Sequence, residues 1–407
     1  MTAQFNLEKS QAHALIPKEW DRSGLPAWAY TSEELFELEK DVLFRRHWQI
    51  AGHVSNVPNP GDYFCLDLIG ERALIVRGKD GKVRAFHNVC RHRGSRVVAD
   101  DAGTCGSALV CPFHGWSFNL DGTFRSAPFP RSLPKLDPVA HGLKPLQLEI
   151  WHGFIFVRFV ESDQPSVAEM MARHEAEIAP YRLEDQVPTG RVWVETIDVN
   201  WKAVRDVDNE GYHVPMAHPA LQDLYGKSYF DEPFKNGTAR SYAPFDEDTP
   251  QLWSVRNYRA ILPEAAHLPE THRKAWLYIG LFPNAVLEFY PDSVGFYQEF
   301  PVAPGKTLQR SWEYALPNQS REMRAARYLC NRINRDTQEE DIQLTKWSYE
   351  AANSSGYDGI ILSDLEYGVK SHHDQLRGLM PVLNEETAPE PGTLAAVNAK
   401  MAGKTGN

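Results

Sequence analysis

From Trp48 to about Phe159 the chain is written in short runs of β-branched and aromatic residues, broken by turn-forming groups. The turns fall at Pro58-Asn59-Pro60-Gly61, Asp80-Gly81 and Asp121-Gly122. Between them, residues 63–68, 73–77, 83–88 and 148–159 have strand character, the last interrupted at Gly153. This pattern predicts a small all-β domain over residues 45–160. Before it, residues 1–30 look like a loosely packed arm. Thr31 and Glu34 then stand at the spacing of a capping box. Leu35, Leu38, Val42 and Leu43 follow at helical intervals, which predicts a helix to about residue 46.

After residue 160 the rhythm changes. Residues 162–183 read as a polar linker and a helix ending near Pro180, and 191–199 alternates like a strand. Residues 276–282, 285–290, 294–300 and 310–315 are further strands, with turns at Pro283-Asn284 and Pro291-Asp292. Residues 321–352 read as a long helix, charged on one face and apolar on the other. The tail after residue 381 is rich in Ala, Gly, Pro, Thr and Lys and is expected to be disordered at its end. The expected class is α+β: a small all-β domain at 45–160, and a larger domain of antiparallel sheet and helices from 1–44 and 161–407.

Composition narrows the classes of function. At 407 residues the chain is too long for one ordinary domain, and 42% hydrophobic residues supply a core. The net charge of −11 argues against nucleic acid or an anionic membrane as partner. No apolar run approaches the roughly 20 residues of a membrane span, and residues 1–18 lack a signal-peptide core. Five cysteines are too few for a disulfide scaffold and odd in number, which suits a reducing, cytoplasmic compartment.

Two of those cysteines belong to the first chemical motif. Cys90-Arg91-His92 and Cys111-Pro112-Phe113-His114 are separated by residues 93–110. Two thiolates and two imidazoles fit a tetrahedral structural zinc. They equally fit a Rieske [2Fe–2S] cluster, in which two Cys hold one iron and two His the other. Zinc fingers pair like ligands, whereas each half here is mixed, as the cluster requires. Gly94 permits close backbone approach, and Arg91 and Arg93 can offset negative charge. Cys65, Cys105 and Cys330 belong to no motif.

The second motif is Glu210-Gly211-Tyr212-His213, followed by His218. His213 and His218 are five residues apart, so they would not share a face of a regular helix, and Pro215 lies between them. They converge on one ion only through a local distortion. With acidic residues close by (Asp206, Asp208, Glu210), they suggest the two-His, one-carboxylate triad of non-haem Fe(II) oxygenases.

Together with Asn200-Trp201-Lys202, these motifs resemble the α subunit of Rieske non-haem iron oxygenases, the aromatic-ring-hydroxylating dioxygenase family. The resemblance runs from about residue 48 to 377. It implies a Rieske domain ahead of a helix-grip-like catalytic domain, and a homotrimer in which one subunit's cluster feeds its neighbour's iron. Cys90, His92, Cys111 and His114 match the cluster ligands, and His213 and His218 the iron ligands. Glu210 matches the bridging carboxylate that carries electrons between subunits. Most ring-hydroxylating members have Asp there, while members acting on carnitine-like quaternary amines have Glu. Asp341 is the best match to the third iron ligand, with Asp336, Glu339 and Glu340 as competitors. The implied function is a terminal oxygenase using O2 and electrons from NADH, passed on by a separate ferredoxin or flavin reductase. It would hydroxylate, dihydroxylate or demethylate a small organic substrate. A Rieske electron-transfer protein without oxygenase activity is the alternative.

Aromatic residues of the second half are candidate pocket walls: Tyr225, Tyr229, Phe230, Trp253, Tyr258, Trp276, Tyr278, Phe289, Tyr290 and Tyr297. Aromatic faces suit either an aromatic ring or a quaternary ammonium group. Arg205 and Arg256 could instead pair a substrate carboxylate. Two substrate classes are therefore expected, a betaine-like cation and an aromatic acid.

Overall fold

The computed structural model describes residues 2–357 and 359–405. The chain forms two compact units. One comprises Phe44–Glu169 and Leu183–Pro188, and the other takes the remainder.

In the first unit, strands Asp62–Leu68, Glu71–Arg77 and Val83–His87 run antiparallel, with Ala102–Thr104 on the outer side of the first. A second sheet pairs Phe154–Arg158 with both Gln49–His53 and Gln147–Trp151. The single interrupted strand expected at 148–159 is thus a hairpin. His152 (φ 45°) and Gly153 (φ 85°) turn it, the two positive φ values of a tight I′ turn. Gly153 is required for a second reason: a Cβ there would stand 2.0 Å from Nε2 of the buried His53. A third, small sheet contains Leu109–Val110, Ser117–Phe118 and Phe124–Ser126. Leu74, Val97, Leu109 and Phe118 are wholly buried in the core between them, each side chain contributing about 1.5–3 kcal/mol by leaving water.

The second unit is built on an antiparallel meander. Phe230–Lys235, Thr238–Pro244, Ala275–Leu281, Ala285–Phe289, Val294–Ala303 and Lys306–Ala315 pair in succession, and Trp193–Ile197 pairs with the last. The first two strands were not expected. Their signal is the Asn236-Gly237 pair, with φ of 53° and 79°, between alternating residues. The long helix Arg321–Ala351 lies where the pattern placed it, with Ser320 capping Met323 N. Helices Trp253–Ile261 and Tyr367–Leu379 are additional.

Both ends of the chain depart from expectation. The arm contains a helix at Thr2–His13. Ser32, not Thr31, caps helix Glu33–Glu39 by accepting from Leu35 N at 3.1 Å. Glu34 turns outward and accepts from Gly392 N (2.7 Å) and Leu394 N (3.3 Å) instead. It thereby caps the tail helix Leu394–Thr405, so the expected disorder could lie only at the residues beyond it. Residues 406 and 407 lie outside the described residues.

Candidate metal centres

Cys90 and Cys111 stand on two loops that make the same turn. Cys90 N donates to Ser95 O (2.7 Å), and Cys111 N to Trp116 O (2.8 Å). Each cysteine carbonyl accepts from the glycine four residues on, Gly94 and Gly115, at 3.0 Å. Both glycines are left-handed, at φ 75° and 70°, a conformation that glycine adopts without steric cost. The matching turns bring the two halves face to face. The Cys side chains are buried while His92 and His114 are exposed. The imidazole centroids stand 4.7 Å apart, and His92 stacks on Trp116 at 4.9 Å and 8°. Burial pushes the Cys90 thiol up to about 11. The backbone N–H of His92 opposes this, and the adjacent Cys111 reinforces it. The buried Asn88 side chain accepts from Val97 N and Val98 N at 2.8 and 3.1 Å, bracing the end of the first loop.

Among the described residues, no three of these four ligand atoms lie within 4.8 Å of one another. Four ligands on one zinc ion, at about 2.0–2.3 Å from it, would all stand within about 3.8 Å. Buried thiolates with exposed imidazoles suit a two-iron centre, with the sulfur-bound iron inside and the imidazole-bound iron toward the surface.

The second unit brings His213, His218 and Asp341 together. Helix Val214–Ala217 runs between the two histidines, and helix Pro219–Leu224 follows. At His218 the backbone leaves helical geometry (φ −120°, ψ 84°), which is the distortion the five-residue spacing required. Asn200 positions the neighbouring helix Trp201–Asp208. It caps Lys202 N at 2.9 Å and donates to Tyr30 O and Pro304 O. Asp341 comes from the long helix.

The two His Nε2 atoms are 3.0 Å apart, and Asp341 Oδ1 lies 2.9 Å from His218 Nε2 and 3.5 Å from His213 Nε2. Three ligands at about 2.1 Å on one face of an octahedron stand about 3.0 Å apart, so the triangle fits one divalent iron. Asp341 Oδ1 is also buried with no donor in hydrogen-bonding geometry. Burial would raise the Asp341 carboxyl, but His213 and His218 hold it below its usual range. Burial would likewise lower His213, yet Asp341 and Glu210 outweigh it and raise it to about 10.

Both imidazoles are oriented from behind. Glu210 Oε1 lies 2.5 Å from His213 Nδ1, and Glu340 Oε2 lies 2.8 Å from His218 Nδ1. A carboxylate at Nδ1 fixes the tautomer that turns the Nε2 lone pair into the triangle. Glu340, expected as a competitor for the metal, is instead this orienting group. Asp336 stands 3.9 Å from Arg332 and Glu339 is exposed, so neither enters the triangle.

The triangle lies on the wall of a cavity of about 730 Å³. Of the expected wall residues, Tyr225, Tyr229, Tyr278, Tyr290 and Tyr297 line it. Tyr258, Trp276 and Phe289 are buried in the core and Trp253 is exposed. Phe230 and Arg256 are also absent from the lining. Arg205 does line the cavity but is engaged by Asp208 (3.0 Å), Asn209 (2.7 Å) and Glu299 (3.4 Å). It is not free to receive a substrate carboxylate. Sequence reasoning missed five carboxylates in the lining: Asp231, Glu232, Glu288, Glu299 and Glu313. The signal for Glu288 is an acidic residue inside the apolar run Ala285–Phe289.

Paired Cys/His loops in one unit and a two-His, one-carboxylate triangle in the other match the ligand sets of a Rieske cluster and a mononuclear non-haem iron. The chain belongs to the ring-hydroxylating alpha-subunit family: the model of that catalytic domain matches residues 170–381, and the Rieske [2Fe-2S] domain matches residues 47–137. Membership brings a Rieske cluster and a mononuclear iron. Among curated relatives, the glycine betaine monooxygenase oxygenase subunit of Pseudomonas aeruginosa is 36% identical over 200 residues, covering 48% of this chain and 45% of that protein. The carnitine monooxygenase oxygenase subunit of Acinetobacter baumannii is 33% identical over 219 residues, covering 51% and 57%. The chain thus spans about half the length of the curated relatives it matches. A solved quaternary ammonium Rieske monooxygenase shares the fold with a TM-score of 0.73, at 24% identity over 88% of this chain and 95% of that one. Naphthalene 1,2-dioxygenase does so with a TM-score of 0.70, at 19% identity over 95% and 97%. No helix among the described residues is long and apolar enough to cross a membrane.

Proposed function

We propose that this chain is the terminal oxygenase component of a Rieske non-haem iron system, working in the cytoplasm. Electrons come from NADH through a separate ferredoxin or flavin reductase. Residues 45–160 take them in, and residues 1–44 with 161–407 deliver them to O2 and a small organic substrate. The observation that carries this reading is the His213, His218 and Asp341 triangle opening on a cavity of ligand size. A pure electron-transfer protein would need neither the triangle nor the cavity. The names of the similar proteins, which act on glycine betaine, carnitine and naphthalene, support oxygenase chemistry.

In this reading Cys90, Cys111, His92 and His114 hold the cluster, and His213, His218 and Asp341 hold the iron. When bound, the two groups supply one-electron storage and O2 activation. The protein's own residues set the conditions for that chemistry. Cys90 and Cys111 sit in the apolar core, which keeps water from the thiolates, while His92 and His114 present imidazoles at the surface where electrons enter or leave. Glu210 and Glu340 hold the Nδ1 protons of His213 and His218. Glu210 also accepts from the backbone N–H of Tyr212 and His213, which pins it against its own loop. We assign to it the electron bridge between adjoining subunits of a homotrimer. The cavity walls orient the substrate beside the triangle.

The test is metal analysis with turnover. Purified protein should contain about three irons and two acid-labile sulfides per chain. It should consume O2 with NADH and a reductase when substrate is present. Two irons per chain without O2 consumption would leave only the electron-transfer reading.

A further inference from the structure

The register of the meander places six residues side by side across the sheet. Asp231 pairs with Ser241, Ser241 with Tyr278, Tyr278 with Glu288, Glu288 with Gly295, and Gly295 with Glu313. Directly paired residues point to the same face, and all six line the cavity. The adjacent row, Ala239, Gly280, Val286, Tyr297 and Ser311, lines it too. Neither row contains a lysine or arginine. Arg310, out of phase by one residue, also touches the cavity, but its guanidinium is engaged over Phe296 at 5.2 Å and by Gln298 at 3.1 Å.

The acidic residues of this face differ in what they touch. Glu313 stands 3.6 Å from Arg327, and Glu299, one row further on, 3.4 Å from Arg205. Glu288 has no cationic partner among the described residues. Its Oε1 accepts from Tyr290 Oη at 2.5 Å. Its Oε2 faces the space beside Gly295, where a Cβ would stand 3.2 Å from it. Glycine at this position therefore keeps open the approach to the second oxygen. Around it, Tyr278 and Tyr290 meet edge to face at 5.8 Å, and Tyr225 stacks with Tyr229 at 5.6 Å.

A carboxylate without a cationic partner, set among tyrosine rings in a cavity, is a receptor for positive charge. We propose that the cavity binds an organic cation of the trimethylammonium type, with Glu288 as its charge partner and Tyr278 and Tyr290 as flanking walls. This deepens the oxygenase reading and rests on it for what happens after binding. An aromatic acid is disfavoured beside Glu288, because its carboxylate would meet a second carboxylate there, and the arginines that line the same cavity, Arg191 and Arg335 among them, lie outside the two rows. Burial pushes Glu288 up to about 7. The site therefore gains most from a ligand that brings its own positive charge.

The test is calorimetric titration of the metal-loaded, full-length protein with three probes. These are choline, its neutral isostere 3,3-dimethylbutan-1-ol, and benzoate. Choline should bind at least about 10-fold more tightly than the isostere, by the loss of one desolvated cationic contact, and benzoate should not bind. Glu288→Gln should weaken choline by a similar factor and leave the isostere unchanged. Benzoate binding as well as choline, or Glu288→Gln weakening choline and isostere alike, would overturn the proposal. The wild-type comparison stands even if the variant folds poorly. Binding needs neither electrons nor O2, so the two readings fail separately. Choline binding without oxidation of any substrate sinks only the oxygenase reading. Oxidation of an aromatic acid with no choline binding sinks only this one.

Discussion

Replacing Glu340 by Gln separates a metal ligand from the group that orients one. Glu340 Oε2 lies 2.8 Å from His218 Nδ1, and the His218 side chain is 1% exposed, so its ring has no water to replace a lost partner. Glutamine keeps the length and an acceptor oxygen. It loses the charge that makes His218 the stronger base. Partners of this kind change metal affinity by about 10–100-fold, or about 1.4–2.7 kcal/mol. Glu340 is 35% exposed, so solvent screens part of its field and the lower end, about 10-fold, is expected for Gln. Glu340→Ala also removes the acceptor and should approach 100-fold. Asp341→Asn exchanges the one anionic ligand for a neutral amide and should abolish retention of the mononuclear iron. The assay is iron retained against a graded chelator, with the cluster's visible absorption as internal control. If Glu340→Gln empties the site as completely as Asp341→Asn, or Asp341→Asn keeps its iron, the assignment of ligand and orienting group is wrong.

Glu210→Gln should weaken iron retention against a chelator as Glu340→Gln does, and in protein replenished with iron product formation should fall and O2 uptake become uncoupled; normal turnover of the iron-loaded variant would remove Glu210 from the electron route. Gly94→Ala should destabilise the cluster loop by about 1 kcal/mol through its positive φ alone, since nothing lies within 4 Å of the added Cβ. Gly115→Ala should cost more, because its Cβ would also stand 3.1 Å from Pro128 Cγ, and rates of thermal bleaching would rank the two. Lys202 and Glu39 form an ion pair with side chains 1% exposed, so Lys202→Met should cost about 3–5 kcal/mol in denaturant unfolding of its unit. The double variant with Glu39→Gln should cost less. Burial lowers His53 to about 4 from its ordinary 6.5, so the folded state resists its protonation. That contribution is complete above pH 6.5 and is lost as pH falls toward 4, by about 3 kcal/mol, an effect His53→Gln should remove from the pH profile of unfolding.

The metal centres were more legible in the sequence than the walls around them. Cys90, His92, Cys111 and His114 lie close together along the chain, and loop chemistry alone brings each pair into place. His213 and His218 are also near neighbours, but Pro215 does not break the helix between them: it sits in the first turn of Val214–Ala217, where proline is tolerated, and the backbone leaves helical geometry at His218 instead. Asp341 and Glu340 were harder to separate, because adjacent positions on one helix differ by about 100° of rotation and only the packed helix shows which side meets the imidazoles. Glu288 was invisible for a stronger reason. Its neighbours come from strands spread over residues 231–313, and only the pairing register makes them a surface. The tail is a similar case. Its composition gave no sign of the helix Leu394–Thr405, whose cap Glu34 supplies from some 360 residues earlier.

That register has a consequence for how the site can change. A side chain's face in a strand is set by parity, so a slip of one residue in Ala285–Phe289 would turn Glu288 into the core and bring Leu287 into the cavity. Insertions or deletions within these strands are therefore all-or-nothing events. Point substitutions along one row leave every backbone pairing intact. The sheet behaves as a keyboard on which single keys can be exchanged while the frame stays fixed. A lineage could pass from one charge class of substrate to another by altering Glu288 and its cross-strand neighbours, without moving His213, His218 or Asp341.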